Sequence, residues 1–225
     1  MMPVQGVDVS TFDGTIDWTA VRKAGIEFAY IKATEALQQD ARHVARTAYF
    51  QSNWHKTQNE GLLRGAYHFF RDNLDSELQA ETFVRAIQDA GGMNDTDLPP
   101  MLDVETSDGA DSHARILRVH RCLVKIKEIL GVHPLIYTYR SFWDDNMDDS
   151  FGAYSLWLAD YGDDKPVGPS VPDRPAPAPP EGFTDFVIWQ YAEFGSVAGI
   201  NAGVDLSLFR GSGDELVQFS TQSRV

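Results

Sequence analysis

Two carboxylates stand one residue apart at the end of an apolar run, PPMLDVET, over residues 99–106. Side chains alternate faces along a strand, so Asp103 and Glu105 share one face while Leu102 and Val104 share the other. Paired carboxylates suit general acid–base chemistry, because one can hold a proton while the other stays ionised. A single D-x-E pair is more often an ordinary solvated strand end, so the pair needs support from elsewhere in the chain.

Two further acids interrupt apolar runs in the same manner. Asp8 lies in GVDVS and Asp205 lies in GVDLSLF, each flanked by apolar residues rather than by turn-forming polar ones. If the fold gathers these segments around the D-x-E pair, the four carboxylates repel one another, and at least one keeps its proton to unusually high pH. A general acid requires that property.

Other uses of such residues have less support in the sequence. Four acids could bind Mg²⁺ or Ca²⁺, but the chain has no D-x-D-x-D-G loop and no Walker-type motif. No G-x-S-x-G suggests a serine nucleophile. The single cysteine, Cys122, falls within a helical pattern and fits a buried thiol. We therefore predict that the site uses no metal and no cofactor.

Composition describes an acidic globular protein. The 225 residues are 43% hydrophobic and 23% charged, with a net charge of −14, which disfavours nucleic-acid and anionic-membrane partners. The first ten residues, MMPVQGVDVS, have neither the basic segment nor the apolar stretch of a signal peptide. We expect a monomer that is made in the cytoplasm.

The elements that would position the acids alternate between strands and helices. Eight strands are predicted, and the last three have no helix-length pattern between them. The predicted strands are 4–10, 26–35, 63–71, 99–106, 133–140, 155–162, 186–192 and 203–209, and the predicted helices are 17–25, 40–59, 75–92, 112–131 and 141–147.

This order predicts an α/β fold, a TIM-like (β/α)5(β)3 barrel. Strands that alternate with helices indicate a parallel sheet, and eight strands can close into a barrel filled by side chains. An open doubly wound sheet is the rival fold, but three successive strands without crossover helices fit it poorly. In a closed barrel the first and eighth strands are neighbours and the fourth lies across the mouth, so the four acids would converge.

We predict one catalytic domain over residues 1–225, with a core from about 4 to 210. Residues 165–182 hold seven of the eleven prolines, so they cannot form a helix or a central strand. A domain linker is possible there, but too few residues follow for a second core, which favours a surface loop. The tail 211–225 is polar and is expected to be peripheral.

Eight motifs in this order resemble glycoside hydrolase family 25, the Chalaropsis-type lysozymes or N-acetylmuramidases. The match runs from about residue 4 to 210, and each motif alone is weak. The resemblance implies a barrel with five helices and hydrolysis, with retention, of the β-1,4 bond between N-acetylmuramic acid and N-acetylglucosamine in peptidoglycan. The motifs are GVDVS, IEFAYIKATE, GAYHFF, PPMLDVE, LIYTY, LWLADY, IWQYA and GVDLSLF.

The resemblance also implies roles for individual residues. Glu105 resembles the general acid/base, Asp103 the second carboxylate, and Asp8 and Asp205 the supporting acids of the cleft. Four residues in family-like motifs are candidate contacts to the sugar rings, with core packing or surface exposure as the alternative for each. These candidates are Lys32, Tyr137, Trp157 and Gln190.

The role of Asp103 depends on geometry. Two carboxyls that flank a scissile bond in a nucleophilic retaining enzyme lie about 5–5.5 Å apart. Here the strand rise separates the two Cβ atoms by roughly 6.5–7 Å on one face, so Asp103 and Glu105 would sit on the same side of the sugar. This favours substrate assistance, in which the 2-acetamido oxygen attacks and Asp103 stabilises the oxazolinium.

Two other functions remain open at this point. A chitinase-like hydrolase also uses a D-x-E strand end, although the longer D-x-x-D-x-D-x-E spacing is absent. A catalytically inactive barrel that binds glycan or protein is the other, although binding alone does not require four crowded carboxylates. The missing export signal fits a phage endolysin, a delivered effector, or a mature fragment of a secreted protein.

Overall fold

Eight strands close into a barrel in chain order in the computed structural model, which describes residues 4–35, 47–162 and 167–224. The predicted barrel is confirmed. Strands β1 to β8 are Val4–Val9, Ile26–Glu35, Leu63–Phe69, Met101–Asp103, Leu135–Tyr139, Leu156–Ala159, Ile188–Gly195 and Val204–Phe209.

A helix follows each of the first five strands, as predicted, and within the described residues none follows β6 or β7. Aspartate side chains accept backbone N–H groups at the start of α1, α3 and α4, which satisfies donors that the first turn leaves unpaired. Residues 40–46 of the predicted second helix lie outside the described residues. Helices α1 to α6 are Trp18–Lys23, Thr47–Asn59, Ser76–Asp89, Ser112–Leu130, Arg140–Asn146 and Gly213–Gln222.

The direction of the last strand differs from the expected parallel sheet. Strands β1 to β7 run parallel, but β8 is antiparallel to both β7 and β1. We call the carboxyl end of the parallel strands the mouth and their amino end the floor. Because β8 runs from mouth to floor, Asp205, its second residue, lies at the mouth.

Side chains of alternate strand residues fill the barrel. Aromatic rings from β2 occupy much of the interior, and glycines on the adjacent strands leave room for them. A Cβ atom at Gly6 would lie 2.1 Å from the Phe28 ring, and one at Gly65 would lie 2.3 Å from the Tyr30 ring. A second apolar layer packs between the barrel and the surrounding helices. This packing fixes the strands whose ends form the mouth.

The tail predicted to be polar and peripheral contains a helix that packs on the floor. Helix α6 begins with a capping box between Ser212 and Glu215. Leu216 is fully buried, in a cluster with Val4 and Leu135 from the starts of their strands. The tail is thus attached to the barrel through one buried face of α6. Within the described residues, no helix combines the length and the apolar character needed to span a bilayer.

The described part of the proline-rich segment, residues 167–182, contains neither helix nor strand. It packs beside the mouth rather than extending away. The Val167 carbonyl accepts the backbone N–H of Ser196 at 2.8 Å. The Arg174 guanidinium pairs with Asp160 at the end of β6 and lies 4.5 Å from the centre of the Trp189 ring. The segment therefore forms part of the rim.

Candidate active site

The mouth holds a pocket of about 400 Å³ into which all four predicted acids project. Asp8 and Asp103 come from the ends of β1 and β4, Glu105 follows β4 by two residues, and Asp205 comes from the start of β8. The alternation of strand side chains thus places the D-x-E pair on one face. Three of the four predicted sugar contacts, Lys32, Tyr137 and Gln190, also line this pocket.

Asp8 and Asp205 form a carboxyl pair. They lie opposite each other in the β1–β8 register and are hydrogen-bonded through their side chains. Burial raises the pKa of Asp8 to about 7. Burial and the charge of Asp8 raise the pKa of Asp205 to about 10. Asp8 is therefore the first of the two to ionise, and Asp205 keeps its proton at neutral pH and donates a hydrogen bond to Asp8.

Asp103 and Glu105 form a second pair with unequal exposure. Asp103 is only 5% exposed, and its Oδ1 has no hydrogen-bond partner among the described residues. Burial and the neighbouring charge of Glu105 raise the Asp103 pKa well above its usual value. Glu105 is half-buried, and burial raises its pKa against the opposing charges of Lys32 and Arg71. Both shifts favour a shared proton on this pair.

A cationic edge faces the second pair. Lys32 Nζ lies 2.6 Å from Glu35 and 4.5 Å from the centre of the Phe69 ring. The Arg71 guanidinium lies over the same ring at 4.6 Å and pairs with both Glu35 and Asp108. The two cations offset part of the carboxylate repulsion and give the pocket an electrostatic polarity, basic at the β2–β3 edge and acidic at the β8–β1 edge.

Gln190 is buried at 1% exposure, and protein groups occupy both ends of its amide. Its oxygen accepts the hydroxyls of Tyr137 at 2.7 Å and Tyr161 at 2.9 Å. Its Nε2 donates to Asp8 Oδ2 at 2.8 Å. Gln190 thus reaches the pocket mainly as a partner of Asp8.

Trp157 is not on the pocket wall, which corrects its prediction as a sugar contact. It is fully buried in the barrel interior, where its ring meets Tyr30 edge-on at 4.8 Å and Tyr137 at 5.8 Å. The indole points inward from the middle of β6, one layer below the mouth. Trp157 therefore supports the pocket from beneath.

The loop that carries Glu105 is fastened by a buried ion pair. Arg115 Nε on α4 lies 2.6 Å from Asp72 Oδ2, and both side chains are almost completely buried. The other oxygen of Asp72 accepts the backbone N–H of Asp108, and Arg115 also donates to Ser107 and to the carbonyl of Ala110. These contacts hold residues 106–110 against the barrel.

Sequence analysis missed several aromatic residues of the pocket. Tyr67 follows Gly65 at the strand period on β3, and Tyr139 follows Tyr137 on β5, so alternation could have located both. Phe12 gave no such signal because it lies in a single helical turn outside the strands, at Thr11–Asp13. The missed aromatic residues that line the pocket are Phe12, Tyr67, Phe69, Tyr139 and Tyr161.

The donor set of the pocket fits protons better than a cation. No group of three or more His, Cys, Asp or Glu side chains in residues 4–35, 47–162 and 167–224 is arranged to hold a metal ion. Metal ligands must be deprotonated, whereas all four carboxyls here have raised pKa values. The arrangement can therefore deliver and remove protons at a bond placed over the mouth.

Comparisons with known proteins give one consistent result. The model of glycosyl hydrolases family 25 matches residues 7–200. The chain is 32% identical over 233 residues to lysozyme M1 of Streptomyces globisporus, covering 98% of this chain and 72% of that protein. A bacterial lysozyme structure from Streptomyces coelicolor aligns with a TM-score of 0.77 and 30% identity over 98% of both chains. A family GH25 lysozyme structure from Aspergillus fumigatus aligns with a TM-score of 0.80 and 26% identity, over 97% of this chain and 99% of that one.

Proposed function

Because this chain belongs to glycoside hydrolase family 25 and is a muramidase-type hydrolase of peptidoglycan, we propose that it cuts the β-1,4 bond between N-acetylmuramic acid and N-acetylglucosamine. The observation that supports this bond is the cluster of four carboxyls in one pocket at the barrel mouth. Glycoside hydrolysis needs one carboxylic acid and one carboxylate near the scissile bond. The pocket supplies both.

Glu105 acts as the general acid. It is the more exposed member of its pair, and burial raises its pKa, which favours the protonated form that a general acid needs. In the first step it protonates the glycosidic oxygen while the bond from C1 to that oxygen breaks. In the second step it removes a proton from water, which then attacks C1.

Asp103 acts on the acetamido group of the sugar. Its buried Oδ1 lacks a partner among the described residues, and the N–H of a 2-acetamido group would satisfy it. Accepting that N–H favours the ionised form of Asp103, and the proton of the pair then resides on Glu105. Substrate binding would thus leave Glu105 protonated, which is the form that a general acid requires.

Retention follows if the acetamido oxygen is the nucleophile. That oxygen forms a bond to C1 as the leaving oxygen departs, giving an oxazolinium that the Asp103 carboxylate stabilises. Water opens this ring from the opposite face, so two inversions restore the β-configuration. A glycosyl ester trapped on Asp103 would contradict this route and show direct nucleophilic attack.

The first experiment identifies the bond. Purified peptidoglycan is digested and the newly formed reducing ends are analysed by mass spectrometry after borohydride reduction. We expect reduced N-acetylmuramic acid at every new end. A chitin oligomer assayed in parallel tests the chitinase-like alternative, and chitin cleavage without muramic ends would exclude our assignment.

The substitution Glu105→Gln tests the general acid. It preserves side-chain size but removes the transferable proton, so kcat should fall roughly 10²–10⁴-fold. The thermal unfolding midpoint should stay close to that of the unmodified protein, because Glu105 is only half-buried. A variant that folds normally and retains more than a tenth of the rate would remove Glu105 from this role. Unmodified protein that is folded but inactive would favour the inactive binding barrel.

The partner is the glycan strand of peptidoglycan, and the site of action is therefore the bacterial cell wall. The net charge of −14 supports our expectation that nucleic acid and anionic membranes are not partners. We retain the monomer as the working state, since the four acids and the pocket come from a single chain. Release as a phage endolysin, as a delivered effector or as a secreted fragment would each bring the protein to this substrate.

A further inference from the structure

A hydrogen-bonded network crosses the mouth from β5 to β1. Two tyrosine hydroxyls, from Tyr137 and Tyr161, meet the amide oxygen of Gln190 at 2.7 Å and 2.9 Å, and lie 3.1 Å from each other. On the other side, Gln190 Nε2 lies 2.8 Å from Asp8 Oδ2. The network is almost completely shielded from water, with Gln190 at 1% and Tyr137 at 6% exposure.

The two tyrosines determine which way the amide faces. A phenol donates one hydrogen, and an amide oxygen can accept two. In this arrangement the amide oxygen accepts both hydroxyls, and the flipped amide would place that oxygen against the carboxylate of Asp8, where two acceptors would repel each other. The amide nitrogen then points at Asp8, so Asp8 always receives a donor on Oδ2.

A donor fixed on Asp8 distinguishes it from Asp205. Both carboxyls face each other across the β1–β8 pair and share a hydrogen bond, so one proton between them could in principle sit on either. Gln190 donates to Asp8 Oδ2, and within the described part of the chain no hydrogen bond joins Gln190 to Asp205. A hydrogen bond from a neutral donor stabilises the charged form of its acceptor.

We propose that Tyr137, Tyr161 and Gln190 form a positioning network that favours ionisation of Asp8 over ionisation of Asp205, so that the negative charge of this pair lies on the β1 side. This inference rests on the proposed function, in which positive charge develops on the sugar during bond cleavage. The network would place the carboxylate of Asp8 beneath that charge. The tyrosines act on Asp8 only through Gln190.

Besides Gln190 and its tyrosines, ionisable groups also affect the ionisation of Asp8. Glu105 and Asp13 oppose its ionisation, since their charges have the same sign. Burial raises the pKa of Tyr67, Tyr137 and Tyr161, and the charge of Asp8 adds to this effect. These phenols therefore stay protonated and remain donors near neutral pH.

Carbon-13 NMR of the aspartate carboxyls tests the proposal in the full chain without substrate. The Asp8 signal, assigned with Asp8→Asn, should titrate in the unmodified protein near pH 7. In Gln190→Met, which keeps the size and removes the amide donor, its midpoint should rise by about one to two pH units, as expected for losing a hydrogen bond to a charged group. An unchanged midpoint in a folded Gln190→Met protein would overturn the proposal.

A second variant keeps the test decisive if Gln190→Met does not fold. Tyr137→Phe combined with Tyr161→Phe leaves the amide in place but frees it to rotate, so the Asp8 midpoint should rise by a smaller, measurable amount. Tyr191→Phe is the matched control, because the Tyr191 hydroxyl contacts Gln5 and Ser170 away from the pocket, and it should leave the midpoint unchanged. A double variant that titrates like the control would overturn the proposal.

Activity provides a separate readout. Gln190→Met should lower kcat more than it raises KM, and should move the acidic limb of the pH–rate profile upward together with the NMR midpoint. Because the NMR titration needs no substrate, it stands even if peptidoglycan proves not to be cut at the proposed bond. A rate loss without any movement of the profile would assign Gln190 a packing role and contradict the proposal.

Discussion

Phe12 stands out at the pocket rim because 84% of its surface is exposed, although the other aromatic residues of the pocket are far more covered. It projects from the short turn that follows β1 and is held there by the Ser10 and Asp13 capping box. An exposed aromatic ring beside a sugar-sized pocket offers a flat apolar surface to the apolar face of a pyranose. We therefore assign Phe12 to glycan contact.

The substitution Phe12→Ala tests this contact. An aromatic contact contributes about 0.5–1.5 kcal/mol beyond area burial, which corresponds to a rise in KM of roughly two- to twelve-fold with little change in kcat. Phe194→Ala is the control, since Phe194 is also exposed, at 55%, but does not line the pocket. Equal effects of the two substitutions on KM would exclude a specific role for Phe12.

The candidate site could be predicted well where strand alternation decides side-chain direction. Asp103 and Glu105 followed from that rule, and Asp8 and Asp205 followed from their apolar flanks and the expected closure of the barrel. Trp157 obeys the same alternation and faces inward, but sequence does not say at which depth an inward residue lies, and this one fills the interior. Gln190 was found as a pocket residue, whereas its attachment to Asp8 depends on two tyrosines from other strands.

At the scale of elements, the β4–α4 connection depends on the buried Arg115–Asp72 pair. The substitution Arg115→Met removes the cation and leaves Asp72 as an unpaired buried charge. Breaking such a pair from one side costs about 3–5 kcal/mol of unfolding free energy, measurable by urea denaturation. The loop that carries Glu105 also loses two anchors, the hydrogen bonds from Arg115 to Ser107 and to the Ala110 carbonyl, so kcat should fall in variants that remain folded.

Arg140→Met is the matched control for this prediction. Arg140 forms an ion pair with Asp144 at 3.1 Å, but its side chain is 59% exposed. An exposed pair of this kind contributes at most about 1 kcal/mol. If both substitutions reduced stability equally, burial would not be what gives the Arg115 pair its importance.

Two elements could not be predicted from the sequence for identifiable reasons. The direction of β8 has no signature in GVDLSLF, because period-two alternation is the same in parallel and antiparallel strands. Helix α6 was missed because it has few buried positions, of which Leu216 is the main apolar one. Its signal was the S-x-x-E spacing of Ser212 and Glu215, a capping box just before the helix.

At the scale of the whole molecule, the five strand–helix repeats and the three following strands were enough to predict the barrel, since few other folds accommodate that order. Closure has an electrostatic consequence that the sequence only suggested. It buries four carboxyls together, and each has a raised pKa. These four groups therefore bind more protons in the folded protein than in the unfolded chain above about pH 4.

This difference predicts how stability depends on pH. A raised folded-state pKa contributes stability at low pH that is lost as pH rises toward that pKa. Asp205, with a pKa of about 10, stays protonated in the folded protein between pH 7 and 8.5 but ionises on unfolding. The unfolding free energy should therefore fall across this range, by up to about 1.4 kcal/mol per pH unit for one proton.

Histidine and cysteine contribute little in this range, and a variant separates the contribution of Asp205 from those of Asp8 and Asp103, whose pKa values are also raised. Burial lowers the pKa of His68 to about 4, which affects stability only below the ordinary histidine range, and ordinary thiols ionise mainly above pH 8.5. Urea denaturation of Asp205→Asn is the comparison, because asparagine is neutral at all these pH values and can still donate to Asp8. If the unfolding free energy of Asp205→Asn fell as steeply with pH as that of the unmodified protein, Asp205 would not be the source of the pH dependence.

Because β8 is antiparallel to β1, the start of β1 and the end of β8 lie together at the floor, and this determines where another module can be fused. Val4 at the start of β1 pairs with Phe209 at the end of β8, and α6 lies beside them on the underside of the barrel. A reporter or targeting module fused after residue 224 would therefore lie at the floor of the barrel, on the opposite side from the mouth where a long polymer would bind. Likewise, splicing the two ends together and cutting the chain elsewhere should give a permuted protein with its opening intact.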